Sequence, residues 1–210
     1  MIFLPLKIKL YYDYVCPYSF LAGRAIDHAM KDKEIELDWM PYELGAESLR
    51  LTFETWEKTV HPLASKMGIS IKRPTIYPKP TTHLAFEGYY FAKENKKANE
   101  YNFKVFQAFF QDDKNISDID VLANIVDDIG LAPQSFKKAV ETRKYQHIHR
   151  QGLEETHKER IQVTPTIEVG STRLEDFHSL EEIEKLLSQN HVKPKLQMLS
   201  KGMSCGMDGC

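Results

Sequence analysis

A cysteine followed by a proline, at the predicted junction of a strand and a helix, is the pair of residues in this chain best suited to chemistry. Cys16 and Pro17 follow the alternating apolar and polar residues 7–12 and precede a helical apolar pattern that runs from Tyr18 to Met30. The first turn of a helix presents unpaired backbone N–H groups and the positive end of the helix dipole. Both stabilise a thiolate, and cysteines at such positions typically have pKa values of roughly 3.5–7.5. We therefore predict that Cys16 is a reactive thiol, ionised at neutral pH.

Ser19 stands one helical turn after Cys16 and adds a second polar group to this site. Its hydroxyl can donate a hydrogen bond to the cysteine sulfur. An isolated cysteine is as often a buried structural residue with no reactivity, and this is the alternative interpretation of Cys16. The order of strand, cysteine, proline and helix favours the reactive thiol. We therefore predict that Cys16 and Ser19 are the catalytic residues.

The elements that must position Cys16 follow a simple order along the chain. Alternating apolar and polar residues predict strands at 7–12 and 34–39, on either side of the helix that begins at Cys16. A strand, a helix and a second strand in close succession form a βαβ unit whose strands are parallel. A hairpin is predicted at 166–175, and a capping box opens a last helix at 179–189.

Between the second strand and the hairpin the pattern is helical, except for a loop at 73–80 that contains three prolines. Five helices are predicted, at residues 53–67, 82–94, 101–110, 118–129 and 133 to about 159, the last with a kink at Gly152. We expect four parts of the chain: an N-terminal βαβ part at 1–44, a helical insertion at 45–160, a C-terminal ββα part at 161–192 and a flexible cysteine-containing tail at 193–210.

Composition and charge exclude several classes of protein. The chain has 210 residues, of which 42% are hydrophobic and 28% charged, and its formal net charge is −2. This balance gives no electrostatic basis for binding nucleic acid or an anionic membrane surface. No apolar stretch approaches the roughly 18 residues of a membrane-spanning helix, and the apolar start of the chain lacks the features of a signal peptide. We expect a cytoplasmic protein.

The motifs resemble those of the DsbA-like thioredoxin superfamily, and within it the FrnE-like branch of dithiol oxidoreductases. That branch neighbours the 2-hydroxychromene-2-carboxylate isomerases and the kappa-class glutathione transferases. The segments that carry the resemblance are spread over nearly the full length, at residues 12–19 (Tyr-Asp-Tyr-Val-Cys-Pro-Tyr-Ser), 39–44, 82–86, 106–119, 163–166 and 205–210. The resemblance implies an α/β thioredoxin fold with an all-helical insertion between its second and third strands.

The same resemblance implies a place for Thr164 and Pro165, which directly precede the predicted hairpin. In a thioredoxin fold a proline at this point lies beside the reactive cysteine, and its peptide bond is cis. The backbone of Thr164 then pairs with an incoming chain, as in strand addition. Taken by itself, Thr-Pro is also compatible with an ordinary loop proline. We predict that Pro17, Tyr18, Thr164 and Pro165 bind the substrate.

The chain departs from the redox-active members of the family at Ser19. Their motif resembles Cys-Pro-x-Cys, with a second cysteine at the position of Ser19. Without a second thiol at this position, a disulfide attacked by Cys16 would stop at the mixed disulfide until another thiol resolved it. The corresponding motif of the isomerase and transferase relatives resembles Ser-Pro-Tyr-Ser. FrnE-like proteins carry a similar cysteine tail, so Cys205 and Cys210 are candidate resolving thiols. Two thiolates fall short of the usual four zinc ligands, and a tail without function is the remaining alternative.

These residues lead to three hypotheses about function. The first is a thiol–disulfide oxidoreductase that acts on protein thiols and disulfides or on glutathione, with no bound cofactor or metal and glutathione as a possible co-substrate. The second is a glutathione-dependent isomerase or transferase, and the third a thioredoxin-like binding module without turnover. The oligomeric state stays open. We expect His147, His149 and His157 on the surface, while His83 fits either the pocket or the core.

Overall fold

The computed structural model describes residues 5–45 and 51–190. Within these residues, four strands form one mixed sheet in the order β2-β1-β3-β4. The strands are β1 (Leu6–Tyr12), β2 (Ile35–Pro41), β3 (Thr166–Val169) and β4 (Thr172–Glu175). β1 runs parallel to β2 and antiparallel to β3, and β3 and β4 form the predicted antiparallel hairpin.

The central strand β1 carries the chain to the candidate site. Leu10 has no exposed surface and lies opposite Trp39 of β2 and Ile167 of β3. A strand with neighbours on both sides, in a sheet covered by helices, is buried on both faces, and Tyr11 is therefore also buried. Tyr11 lies opposite Thr166, so the end of β1 meets the start of β3. This register brings the two predicted site segments together.

Two helices pack together beside the sheet, α1 (Pro17–Ala29) and α9 (Leu180–Gln189). Pro17 occupies the first turn of α1, where its missing N–H leaves no hydrogen bond unmade. α9 begins with the predicted capping box. The Ser179 hydroxyl accepts from the Glu182 N–H at 3.3 Å, and the Glu182 carboxylate accepts from the Ser179 N–H at 2.8 Å. Both helices therefore begin at the predicted residues.

The helical insertion lies between β2 and β3, as predicted. Its elements are α2 (Phe53–Thr55), a π-helical turn (Trp56–Val60), α3 (His61–Lys66), α4 (His83–Glu94), α5 (Ala98–Phe110), α6 (Ile119–Asp128), α7 (Pro133–Glu141) and α8 (Gln146–Lys158). Aromatic rings from α4 and α5 pack onto the end of β1, where Phe86 and Phe106 contact Tyr12 at ring-centroid distances of 5.3 and 5.9 Å. The predicted α/β thioredoxin fold with a helical insertion is confirmed.

The prediction of one long helix from Pro133 to about Glu159 is wrong. The helix is interrupted between α7 and α8, where Arg143 has a positive φ of 55°. That turn carries the Arg143 guanidinium to the buried carboxylate of Glu87, a contact that local sequence does not reveal. Gly152 lies inside α8. A Cβ at that position would meet Pro41 Cγ at 2.9 Å, so the glycine permits close packing of α8 on β2.

None of the helices in residues 5–45 and 51–190 is both long and apolar enough to cross a bilayer. The division of the chain into four parts stays a prediction, and the whole of its fourth part, the tail at 193–210, lies outside the described residues.

Candidate functional site

Cys16 closes the short loop between β1 and α1 and is the N-cap residue of α1. Its N–H donates to the Asp13 carbonyl at 3.1 Å, which forms a tight turn, and its own carbonyl accepts from the Phe20 N–H at 3.2 Å. The Asp13 carboxylate also accepts from the Val15 N–H at 3.3 Å. These hydrogen bonds fix the cysteine at the helix start, as the sequence predicts.

The segment before β3 lies directly against this cysteine. The Cys16 thiol donates to the Thr164 carbonyl at a distance of 3.4 Å. The Thr164–Pro165 peptide bond is cis, which confirms the prediction. Antiparallel pairing of β1 with β3 positions this contact, because Tyr11 lies opposite Thr166.

Two buried hydroxyl groups belong to the same cluster. Ser19 has no exposed surface and Thr164 is 8% exposed, and the Oγ of Ser19 and Oγ1 of Thr164 have no hydrogen bond of ordinary geometry to another described group. Both hydroxyls nevertheless lie close enough to the Cys16 sulfur to lower the pKa of its thiol. A buried hydroxyl without an acceptor is unfavourable, and ionised sulfur is the acceptor that this cluster offers.

The prediction that the Cys16 thiol has a lowered pKa is wrong for this arrangement. Cys16 has no exposed surface, and its burial raises the pKa of the thiol. Ser19, through its hydroxyl and its backbone N–H, and Thr164 oppose this effect, while the nearby Asp13 carboxylate adds to it. Desolvation outweighs the helix start here because the sulfur is removed from water on every side. The thiol is therefore mostly protonated at neutral pH in the closed site.

The remaining residues predicted to bind substrate lie at the start of α1. Pro17 is buried, whereas Tyr18 is partly exposed. The Tyr18 hydroxyl makes a 2.9 Å hydrogen bond with Thr59 of the π-helical turn, and its ring lies 6.5 Å from that of Phe177. Tyr18 thus connects the cysteine helix with the helical insertion at the protein surface.

Asp13 is the residue of the site that sequence reasoning missed. It has no exposed surface, and its carboxylate accepts from the Leu44 N–H at 2.6 Å. Burial raises the pKa of this carboxyl to about 7, against the lowering effect of hydrogen bonds from Leu44, Val15 and Thr82 and of the charge of Lys79. The available signal was a single acid within the apolar run that leads to the cysteine.

The histidines are distributed differently from the prediction. His147 and His157 are exposed, but His149 is buried, so the prediction for His149 is wrong. Its ring stacks on Phe86 with a centroid distance of 5.1 Å, and its Nε2 lies 2.6 Å from the Glu43 carboxylate. Residues 147 and 149 point to different sides of α8, and the side of His149 faces the end of β2. His83 is half-buried in the first turn of α4.

Within the described residues there is no cluster of three or more His, Cys, Asp or Glu side chains that could hold a metal ion. Cys205 and Cys210, the candidate resolving thiols, lie outside these residues, so their role stays a prediction.

Comparisons with known proteins place this site in a family. Residues 7–188 match the model of the DsbA-like thioredoxin domain. The uncharacterized protein YwbO of Bacillus subtilis (strain 168) is 42% identical over 195 residues, which cover 89% of this chain and 98% of that protein.

Solved structures share the fold at low sequence identity. A probable DsbA oxidoreductase, SCO1869 from Streptomyces coelicolor, superimposes with a TM-score of 0.76 at 16% identity and 98% coverage of both chains. A 2-hydroxychromene-2-carboxylate isomerase gives a TM-score of 0.74 at 14% identity and covers 88% of this chain and 94% of its own. The cytosolic disulfide reductase DsbM from Pseudomonas aeruginosa, solved with glutathione, gives 0.67 at 11% identity, with 88% and 98% coverage. With a family match over residues 7–188, this chain belongs to the DsbA-like thioredoxin domain family.

Proposed function

We propose that this protein is a cytoplasmic thiol–disulfide oxidoreductase of the FrnE-like type, with Cys16 as its nucleophile. The observation that carries the proposal is the cluster at the start of α1. The Cys16 sulfur lies against Thr164, and the hydroxyls of Ser19 and Thr164 are buried beside it without another acceptor. Such a cluster stabilises negative charge on sulfur, which is what a thiolate nucleophile requires. A reducing compartment suits a chain with three cysteines.

The first chemical step is attack of the Cys16 thiolate on one sulfur of a substrate disulfide. A new S–S bond joins Cys16 to that sulfur, and the other substrate sulfur leaves as a thiolate with the electron pair of the broken bond. The backbone of Thr164 and Pro165 is the surface against which an extended substrate would lie. Pro17 and Tyr18 complete this surface from the side of α1.

The second step needs a thiol from elsewhere, because Ser19 stands where a second cysteine would resolve the mixed disulfide. Glutathione, as a co-substrate, or one of the tail thiols Cys205 and Cys210 would attack the mixed disulfide and release Cys16 as a thiolate. The oxidising equivalent then passes to the attacking thiol, so no bound cofactor is required.

The closed site sets a condition on this chemistry. Cys16 has no exposed surface, and burial raises the pKa of its thiol. A disulfide therefore reaches the sulfur only after neighbouring groups move apart. Exposure would remove most of the desolvation. Ser19, Thr164 and the helix start would then favour the thiolate, opposed by the charge of Asp13.

Turnover of a glutathione mixed disulfide tests the proposal. The full-length protein should catalyse the reduction of a cysteinyl–glutathione disulfide by glutathione, and Cys16→Ser should abolish the catalysis. The double variant Cys205→Ser/Cys210→Ser separates the two sources of the resolving thiol, because glutathione alone supports its activity. Full activity in Cys16→Ser would contradict the proposal.

A second candidate function is a glutathione-dependent isomerase or transferase. The observation that favours it is the burial of Cys16, since a protonated buried thiol suits a site that binds glutathione rather than one that attacks disulfides. This function predicts glutathione affinity that survives Cys16→Ser. Restoring a second cysteine with Ser19→Cys distinguishes the two functions, because an oxidoreductase site should then form a reversible disulfide under mild oxidation.

A further inference from the structure

We propose that Thr59 is a positioning residue that holds Tyr18 across the substrate surface beside Cys16, and that release of the Tyr18–Thr59 hydrogen bond opens the closed site. The inference rests on the role proposed above for Cys16 and names the contact that gives way before a disulfide reaches the sulfur. Cys16 has no exposed surface, whereas Tyr18, two residues further along, is partly exposed. A side chain at the surface beside a buried sulfur is the group that an incoming substrate meets first.

Thr59 lies in the π-helical turn of the insertion, and this turn is held firmly at both ends. Trp56 and Val60 are buried. The His61 N–H donates to the Trp56 carbonyl, five residues back, and the Trp56 indole N–H donates to the His61 Nε2 at 2.7 Å. A π-helical turn accommodates one residue more than an α-helical turn, and such turns occur frequently at functional sites. The turn therefore presents Thr59 to α1 from a fixed position.

The hydrogen bond between Thr59 and Tyr18 has a defined direction. The Thr59 hydroxyl has a single proton, which it donates to the Thr55 carbonyl within the same helical segment. Its oxygen is therefore the acceptor in the 2.9 Å hydrogen bond with Tyr18, and the phenolic O–H donates. This hydrogen bond joins the first turn of α1 to the helical insertion.

A second contact of the Tyr18 ring leads to the loop between β4 and α9. The ring of Phe177 lies 6.5 Å from that of Tyr18, and the neighbouring Asp176 N–H donates to the Pro165 carbonyl at 2.9 Å. Tyr18 thus connects the insertion, through Thr59, with a loop that is hydrogen-bonded to the segment before β3. A substrate that lies along this segment meets the connection that Tyr18 forms.

Among these contacts, the Tyr18–Thr59 hydrogen bond is the one best suited to open. It lies at the protein surface, where water can replace either partner, so breaking it costs little. The contact of Tyr18 with Phe177 is between two rings and allows the tyrosine to rotate. Release of the phenolic O–H therefore frees the Tyr18 side chain without unfolding α1 or the π-helical turn.

The rate of alkylation of Cys16 by iodoacetamide between pH 7 and pH 10 tests the inference. It is measured in full-length protein carrying Cys205→Ser and Cys210→Ser, so that only Cys16 reacts. A buried thiol reacts in proportion to the population of the open state. Thr59→Val and Tyr18→Phe each remove the hydrogen bond, and each should accelerate the reaction about 2- to 10-fold. The double variant should react no faster than the faster single variant, because both substitutions remove the same bond.

The pH dependence of the rate supplies a second measurement. Neither the Tyr18 nor the Thr59 hydroxyl is among the main causes of the raised pKa of Cys16. The acceleration should therefore be the same at every pH, with no movement of the alkaline midpoint. A midpoint that moves in Thr59→Val would show that this hydroxyl acts on the charge of the sulfur and not on access to it, and would overturn the inference.

Two control variants separate this role from a general loosening of the insertion. Thr59→Ser keeps a hydroxyl and should restore the wild-type rate. Thr75→Val removes another exposed hydroxyl of the insertion, one that donates to Asp113, and should leave the rate unchanged. Unchanged rates in Thr59→Val and Tyr18→Phe, single effects that multiply in the double variant, no rescue by Thr59→Ser, or an equal acceleration by Thr75→Val would each contradict the proposal. Because alkylation needs no turnover, failure of the oxidoreductase assay leaves this test intact.

Discussion

Asp13 and Glu87 are both carboxylates without exposed surface, and they show how differently this protein handles buried charge. Glu87, in α4, is held by the Arg143 guanidinium, with nitrogen–oxygen distances of 2.6 to 3.1 Å. Asp13, beside the cysteine, receives backbone N–H groups and a hydroxyl, and burial raises its pKa to about 7.

The difference follows from what surrounds each group. The Arg143 guanidinium donates to both oxygens of the Glu87 carboxylate, and the same contact raises the pKa of Arg143. The ion pair connects α4 to the turn before α8. The Asp13 carboxylate accepts hydrogen bonds from backbone N–H groups but contacts no cation among the described residues. Its negative charge is therefore only partly compensated, and burial raises its pKa. The first arrangement fixes structure, whereas the second leaves a group that titrates near neutral pH beside a thiol.

Removing the cation of the structural pair should have the largest effect on stability. Arg143→Ala leaves the carboxylate of Glu87 buried without a partner, and we expect a loss of about 3 to 5 kcal/mol in the free energy of unfolding, measured with urea. Lys144→Ala is the matched control, because Lys144 pairs with Glu94 on the exposed surface, where solvent screens the two charges, and its loss should change stability much less. Equal effects of the two substitutions would contradict the contrast between buried and exposed pairs.

Replacing the other carboxylate should change how stability depends on pH. The pKa of Asp13 is raised from 3.8 to about 7 in the folded protein, so the folded state binds this proton more tightly than the unfolded state. Stability therefore falls as pH rises between these values and levels off above about pH 7. Between pH 5 and pH 8, wild type should lose about 2 to 3 kcal/mol relative to Asp13→Asn. Parallel unfolding free energies of the two proteins across this range would show that Asp13 is not perturbed.

The hydroxyls beside Cys16 should have the smallest effect, confined to the thiol. Ser19→Ala and Thr164→Val each remove a donor that opposes the raised pKa of Cys16, so each should move the alkaline midpoint of Cys16 alkylation to higher pH. Thr164→Ser restores a hydroxyl and should return the midpoint towards wild type. An unchanged midpoint in both Ser19→Ala and Thr164→Val would remove these hydroxyls from the account of the site.

The sequence predicted those features that depend on local chemistry. Cys16-Pro17 at a helix start, the hairpin before α9 and the capping box of Ser179 and Glu182 all follow from neighbouring residues, and the family resemblance supplied the cis bond before Pro165.

The features that could not be predicted depend on contacts between distant segments. The break at Arg143 depends on Glu87 in another helix, and the burial of His149 on the end of β2. The raised pKa of Cys16 required knowing that packing removes the sulfur from water, an effect that opposes the helix start. Asp13 escaped notice for the same reason, because its role depends on Leu44.

The most direct test of the account is to map which sulfur reacts with glutathione disulfide. The full-length protein and the Cys205→Ser/Cys210→Ser variant are incubated with a slight excess of glutathione disulfide, digested without reduction and analysed by mass spectrometry. We expect a glutathione mixed disulfide on Cys16 that accumulates in the variant, because Ser19 cannot resolve it, and that is less abundant when the tail thiols are present. A Cys16 that stays unmodified in both proteins would contradict the central claim that this residue is the nucleophile.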